Sequence, residues 1–323
     1  MNARQGWLIA LASALVVTTG RSASADEGGE RAAGEEHAEG PIHALGLDLV
    51  LGWGKVPFAV QNQTTPSNPA ITYSRADQTE SNVQSFLATG SVEVAEHVGI
   101  GLRFPFTFAT FSPDGAQGRS TFGVGNLELE GEYSAAVAPG LRLIGALGVA
   151  LPFAQGIEIP PGLTNQNALD VDKGNYDRWS LSRAASFARG YEDNALFEPQ
   201  RFGLVPKVAL VYRFRGLSIE PYVKLENLIG TSSALDASYV GELVGALRVG
   251  YWVRKEFELA VKAWVNVGFA GTSDDKTTAG ALEPQLVLRF GPVRPYAGVI
   301  IPLAGPPSDN GFVGVRVGVA SSF

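Results

Sequence analysis

The sequence predicts an all-β fold, a closed antiparallel barrel of about 12 strands that crosses a membrane. Three observations predict it. Segments of roughly ten residues recur in which every second residue is apolar, the period of a strand and not of a helix. The links between them alternate without exception between tight turns and longer polar loops. One face of these segments is greasy and the other carries charges of both signs, which suits a wall with lipid outside and water or packed polar groups inside. Composition agrees, with 39 glycines and five tryptophans and no long apolar helix.

Arg4 is the only charge before an apolar run from Gly6 to about Thr19, and Ala23-Ser24-Ala25 has the small-x-small pattern of a signal-peptidase site. Residues 1–25 are therefore expected to be a cleaved secretory signal peptide. The run is too short for a comfortable transmembrane helix. No cysteine occurs anywhere, which excludes a lipoprotein anchor, disulfides and thiol chemistry. Removing Arg4 and Arg21 lowers the basic count from 25 to 23 against 32 acids, a net charge of −9. Residues 26–41 are polar, acidic and rich in Gly and Ala, and are expected to be a disordered periplasmic lead. An acidic chain without a basic cluster argues against nucleic-acid binding.

Residues 42–323 show no break in composition and are read as one barrel. The strands are expected near 42–52, 83–94, 98–109, 123–135, 141–152, 203–214, 217–229, 239–253, 257–269, 282–290, 293–302 and 312–323. The even-numbered strands are followed by tight links, such as Ala95-Glu96-His97, Arg215-Gly216 and Gly291-Pro292. The odd-numbered strands are followed by polar loops at 53–82, 110–122, 153–202, 230–238, 270–281 and 303–311. Short periplasmic turns and long external loops are the habit of outer-membrane barrels. A soluble β-sandwich has no reason to sort its loops by parity.

The faces support this. Phe257, Leu259, Val261, Ala263, Val265, Val267 and Phe269 share one side of the ninth strand, opposite Glu258, Lys262 and Asn266. Aromatic residues gather near strand ends, as interfacial girdles do. In the last segment Phe323, Val319, Val317, Val315 and Val313 fall on one face. That ending resembles the C-terminal strand of bacterial outer-membrane β-barrels, in which a terminal aromatic is part of the signal read by the insertion machinery. Phe323 is thus the candidate assembly signal. The resemblance implies outer-membrane lipid and that machinery as partners in a Gram-negative envelope.

The inward faces hold nine acids and ten bases, close to balance. Salt-bridging across the lumen is the default for such charges; a narrow conduit whose charged stripes select a solute is the sharper reading. Arg142, Arg248, Glu242, Glu130, Glu128 and Lys262 are the candidates for lumen charge and selectivity. The loop 153–202 is much the longest, and its pattern predicts a short helix over 178–191. Trp179, Arg183, Phe187 and Arg189 are its candidates for a constriction, since long loops in compact domains are commonly functional or disordered.

No catalytic constellation is visible. His37, His43 and His97 have no nucleophile with an orienting partner nearby in sequence. Gly123-x-Gly125 is followed by strand and so is no phosphate loop. No enzyme, cofactor or metal site is expected. Phe122-Gly-Val-Gly-Asn-Leu-Glu-Leu-Glu-Gly-Glu-Tyr133 resembles a segment of the outer-membrane transporter family associated with phenol degradation, which commonly has aspartate where this chain has Asn126. The expected function is passive passage of a small solute through a charged lumen narrowed by the third external loop. The competing expectation is a non-conducting structural or surface-binding barrel.

Overall fold

One antiparallel sheet curls until its first and last strands meet. Its strands are β1 (His43–Gln61), β2 (Tyr73–Ala95), β3 (Val98–Ser112), β4 (Arg119–Val124), β5 (Leu127–Ala138), β6 (Leu141–Leu151), β7 (Arg201–Phe214), β8 (Leu217–Gly230), β9 (Tyr239–Arg254), β10 (Phe257–Ala270), β11 (Thr278–Leu288), β12 (Val293–Ala304) and β13 (Val313–Ser322). Closure is direct, with β1 and β13 paired from Ala44↔Ser322 to Trp53↔Val313. The computed structural model describes residues 43–61, 73–112, 118–154, 173–231, 237–271 and 278–322. Phe323, residues 1–42, where a signal peptide and an acidic lead are expected, and residues 155–172 of the long loop lie outside the described residues.

β4 and β5 are two halves of one crossing. β4 pairs with β3 from Phe106↔Val124 to Phe111↔Arg119, and β5 pairs with β3 from Val98↔Tyr133 to Arg103↔Glu128. Twelve crossings result, as the sequence predicts, but the fourth is broken at Gly125–Asn126. Pro105 stands on β3 between the two halves and has no N–H for the ladder. Gly125 instead donates its N–H to the Pro105 carbonyl at 2.9 Å.

The tight links fall at one end of the barrel and the long ones at the other. The expected loop at 53–82 is mostly strand, because β1 runs on to Gln61 and β2 starts at Tyr73. The ladder continues through Lys55↔Glu80 and Val56↔Thr79, and the Ser81 hydroxyl donates to the Gly54 carbonyl at 2.9 Å. The extension has something to bury, since Val56 lies in the interior with Phe187, Ala188 and Phe312.

The two faces of the wall differ as a membrane requires. On β10, Leu259, Val261, Val265 and Phe269 are exposed while Glu258, Ala260, Trp264 and Asn266 are buried inside. Exposed aromatics ring both ends: Tyr133, Phe214, Tyr251 and Phe290 at the short-turn end, and Trp53, Phe153 and Phe269 at the long-loop end. Ala263 sits on the outer face at mid-strand. Ala263→Arg should cost about 2–4 kcal/mol, the cost of a cation at the bilayer midplane. Urea unfolding from lipid vesicles would show it, with Ala263→Leu behaving like the parent.

The interior is layered, not charged throughout. Its long-loop half is an apolar core that includes Val50, Val83, Phe111, Trp264 and Ile300. Most of the charges that sequence reasoning places along the whole lumen gather below that core, toward the short turns, whereas Glu226 and Glu242 lie further up, at the level of Gly268.

Candidate functional site

The third long link enters the barrel. It carries helix α1 (Lys173–Ala188), which begins five residues before the expected start and stops three before the expected end. Its buried face is small, with Ala184, Ala185 and Ala188, so the helix lies close against the wall. Gly52 on β1 makes that approach possible, because a Cβ there would meet the Ala188 Cβ at 2.6 Å. Phe187 packs edge-on against Phe312, with ring centroids 5.3 Å apart.

The helix ends in a glycine turn. Gly190 has φ 63°, its N–H donates to Phe187 O at 3.0 Å, and the Tyr191 N–H donates to Ser186 O at 2.9 Å. This pair of bonds is a Schellman cap. Tyr191 also takes a left-handed φ of 61°, which is costly for a side chain of that size. Its hydroxyl accepts from Arg183 at 2.7 Å. The turn aims the next residues across the lumen.

Residues 189–197 are all buried and are tied to most of the way around the wall. Arg189 donates to Asp48 of β1 at 2.6 Å and to the Ser85 hydroxyl of β2 at 3.0 Å. Glu192 accepts from Lys262 of β10, from Tyr222 of β8 at 2.7 Å and from Arg316 of β13 at 3.5 Å. Asp193 accepts from Arg103 of β3 at 2.7 Å and from Lys224 of β8 at 3.3 Å. Asn194 donates to Glu242 of β9 at 2.9 Å, and the Ala195 N–H donates to Glu226 at 2.8 Å. Trp264 and Asn266 of β10 donate to the carbonyls of Gly190 and Tyr191 at 2.8 and 3.0 Å.

Asn126, at the break in the fourth crossing, clamps the far end of this segment. Its amide donates to Ala195 O at 2.9 Å and to Glu198 O at 2.7 Å, and its side-chain oxygen accepts the Ala154 N–H at 3.0 Å. Its backbone N–H reaches Leu196 O at 2.7 Å.

Glu192 and Asp193 are ionised. Burial alone would raise both carboxyls, but Lys262 and Arg316 outweigh it at Glu192 and hold that carboxyl down at about 2. Arg103 and Lys224 hold Asp193 well below the usual carboxylate range in the same way.

The structure brings several of the predicted residues together. Lys262 and Glu242 both bind the inserted segment. Glu128 pairs with Arg103 at 3.4 Å, and Glu130 with Lys207 at 3.7 Å. Arg248 bridges Glu220 at 3.3 Å and Glu258 at 2.9 Å near the short turns. Arg142 lies at that same end, half-buried and apart from the inserted segment. Phe187 and Arg189 are within the buried part of the segment. Arg183 lies over the Trp179 ring at 5.5 Å, one to two helical turns before it. Sequence reasoning missed Glu192, Asp193, Asn194 and Asn126. The run Glu192-Asp193-Asn194, just past a helix and rich in groups that seek cations and donors, was the available signal.

Two cavities open beneath the segment on the short-turn side. One of about 440 Å³ is lined by Glu128, Glu130, Glu132, Lys207 and Lys224, and one of about 220 Å³ by Asp48, Thr89, Arg189, Tyr296 and Arg316. Both also touch Arg103, Glu192, Asp193 and Lys262. A third crevice, of about 30 Å³, lies in the wall at the break, between Phe122, Gly123, Val124 and Gly125 outside and Leu181, Ala185 and Phe197 inside.

The class defined by this closed barrel, its apolar belt and its aromatic girdles is that of the outer-membrane β-barrels. The chain is similar to an outer membrane channel from Pseudomonas putida F1, with 12% identity and a TM-score of 0.55 over 91% of this chain and 100% of that one. Looser matches include a Pseudomonas aeruginosa FadL homologue, at 9% identity and TM-score 0.40 over 88% and 90% of the two chains. The translocator domain of the autotransporter NalP from Neisseria meningitidis matches at 11% identity and TM-score 0.42 over 90% of each. At these identities the likeness is one of fold. No family model and no curated protein matches the sequence.

Proposed function

We propose that this barrel passes a small solute across the outer membrane, and that residues 173–200 form an internal gate that closes the path between permeation events. The carrying observation is the pair of charged cavities that end on Glu192 and Asp193. A lumen that served only to brace the wall would be filled below the segment as it is above. The similarity in fold to a Pseudomonas putida outer membrane channel supports the same reading. In this reading residues 1–25 direct export and are removed, residues 26–41 stay in the periplasm, and Phe323 is read by the insertion machinery.

The gate is held by ion pairs and hydrogen bonds more than by an unbroken apolar seal, so a solute that competes for those partners can displace it. Arg103, Lys224, Lys262 and Arg316 would then line the opened path, with Glu128, Glu130 and Glu242 facing them. A second reading is favoured by the crevice at Gly125. An apolar solute in the membrane could enter sideways between β4 and β5, against Leu181 and Phe197, without crossing the charged belt.

Residues 26–323 refolded into a planar bilayer test the first reading. Closing or rare small current steps are expected from the parent, and large, reproducible ones once residues 155–200 are replaced by a short Gly/Ser linker. A folded, heat-modifiable barrel that stays silent after the replacement would leave the structural barrel or the sideways route.

A further inference from the structure

Below the ion-paired belt, the mouth at the short-turn end holds a second set of charges that the gate does not use. Five arginines point inward there from five different stretches of the wall. Arg142 on β6 is in register with Val211, which puts Arg213 of β7 diagonally beside it. Arg248 stands on β9. The bridge between Phe290 and Val293 sets Arg289 directly across from Arg294, one step further into the barrel. The Arg289 N–H donates to Glu256 O at 3.0 Å, which fixes that end of β11 beside the turn between β9 and β10. Its guanidinium lies 4.7 Å from the centre of the Trp252 ring.

The acids at this level do not balance them. Glu220 and Glu258 both bind Arg248, and Glu258 also accepts the Ser218 hydroxyl at 3.1 Å. Arg294 feels the charges of Arg289 and Arg213 more strongly than that of Glu258, while Arg213 feels Glu220 and Glu258 ahead of Arg142 and Arg289. The Nε atoms of Arg289 and Arg294 are buried and have no hydrogen-bond partner among the described residues. Like charges directly opposite on neighbouring strands are destabilising. A buried guanidinium N–H without an acceptor adds to that cost. One group removes both penalties, an oxyanion between the two forks, because planar guanidinium groups bind carboxylate and phosphate oxygens in pairs.

We propose that the short-turn mouth is a binding site for a small oxyanion, a carboxylate or a phosphate group, held between Arg289 and Arg294 with Arg213 nearby. The indole of Trp252 backs Arg289 and limits where that guanidinium can turn, so the fork is held toward the bore. Across the mouth, β5 carries Glu130 and Glu132 on the larger cavity, with Lys207 3.7 Å from Glu130. The site does not depend on whether the gate opens.

The test uses residues 26–323 folded in lipid vesicles, titrated at constant ionic strength with inorganic phosphate, acetate or chloride. Saturable binding of phosphate or acetate is expected by calorimetry, and chloride should bind at least about tenfold more weakly, lacking the paired oxygens. Phosphate alone would mark the site for phosphoryl groups, acetate alone for carboxylates. Arg289→Gln and Arg294→Gln should each weaken binding about tenfold or more, whereas Arg254→Gln, in the exposed turn at the same end, should not. Because each change also relieves repulsion, both variants should fold and be at least as resistant to urea as the parent without anion. Added phosphate should raise the parent's urea midpoint and leave theirs unmoved. Absence of saturable binding in the parent overturns the proposal. Equal binding by parent and both variants overturns it too, as does a parent midpoint that ignores all three anions.

Discussion

Glu192→Ala should detach the internal segment from the wall while leaving the barrel folded. The carboxylate faces Lys262, Arg316 and Tyr222 at once. Arg316 keeps Asp48 at 3.3 Å and Glu283 at 2.8 Å, but Lys262 is left with the faces of Tyr222 and Trp264, each about 5.5 Å away. Stranding a buried charge by removing its partner costs about 3–5 kcal/mol. Residues 189–200 should therefore become more open to protease and the bilayer current should rise. Removing both partners together is different, since an apolar pair of similar volume can replace a buried ion pair at little cost. Glu192→Leu combined with Lys262→Leu should therefore recover much of the protection that either single change loses. Additive losses in that double-mutant cycle would show that the two side chains do not act as a pair.

The same groups give the gate a pH dependence whose sign is fixed by their environment. Both carboxyls are lower in the folded barrel than in an unfolded chain, where they lie near about 4.3 for Glu and about 3.9 for Asp. Their contribution is complete above those unfolded values and is lost as pH falls toward the folded ones. The segment should stay seated from neutral pH down to about pH 4.5 and loosen progressively below it.

Most of the wall was legible in the sequence because a barrel writes its geometry in period two. On β10 the inward Glu258, Ala260, Lys262, Trp264 and Asn266 alternate with the outward Leu259, Val261, Ala263, Val265 and Val267, and nothing about distant partners is needed to read it. Loop parity was legible for a similar reason, since the length of each link follows from where one alternating segment stops and the next begins. The inserted segment was not. Its bonds join residues far apart in the chain, such as Arg189 with Asp48 and Glu192 with Arg316, and no local pattern announces which strands will supply the partners. The length of the third loop and its arginines pointed to the right segment, yet the acids at 192 and 193 bind more of the wall than the aromatics that stood out. The break at Gly125 was hidden too. Read alone, Gly123-Val124-Gly125 continues a strand, and only Pro105 opposite and Leu196 inside make that spot bend.

Asn126→Asp should unseat the segment from its other end. The parent amide gives two hydrogen bonds, to Ala195 O and Glu198 O, and takes one from Ala154 N–H. Aspartate keeps the acceptor but turns the donor into an anion that faces two carbonyl oxygens. Each carbonyl left without its donor costs about 1–3 kcal/mol, and the charge adds repulsion. Asn126→Ala separates the two effects, since it removes the donor without adding charge. Protease protection of residues 189–200 should fall in the order parent, Asn126→Ala, Asn126→Asp at neutral pH. A mild drop to pH 5 leaves Glu192 and Asp193 ionised but begins to return a proton, and with it one donor, to the new carboxyl. Protection should then improve in Asn126→Asp and not in Asn126→Ala. Should both variants match the parent in protection and current, the segment is held by its ion pairs alone, and the break in the fourth crossing serves the wall and not the gate.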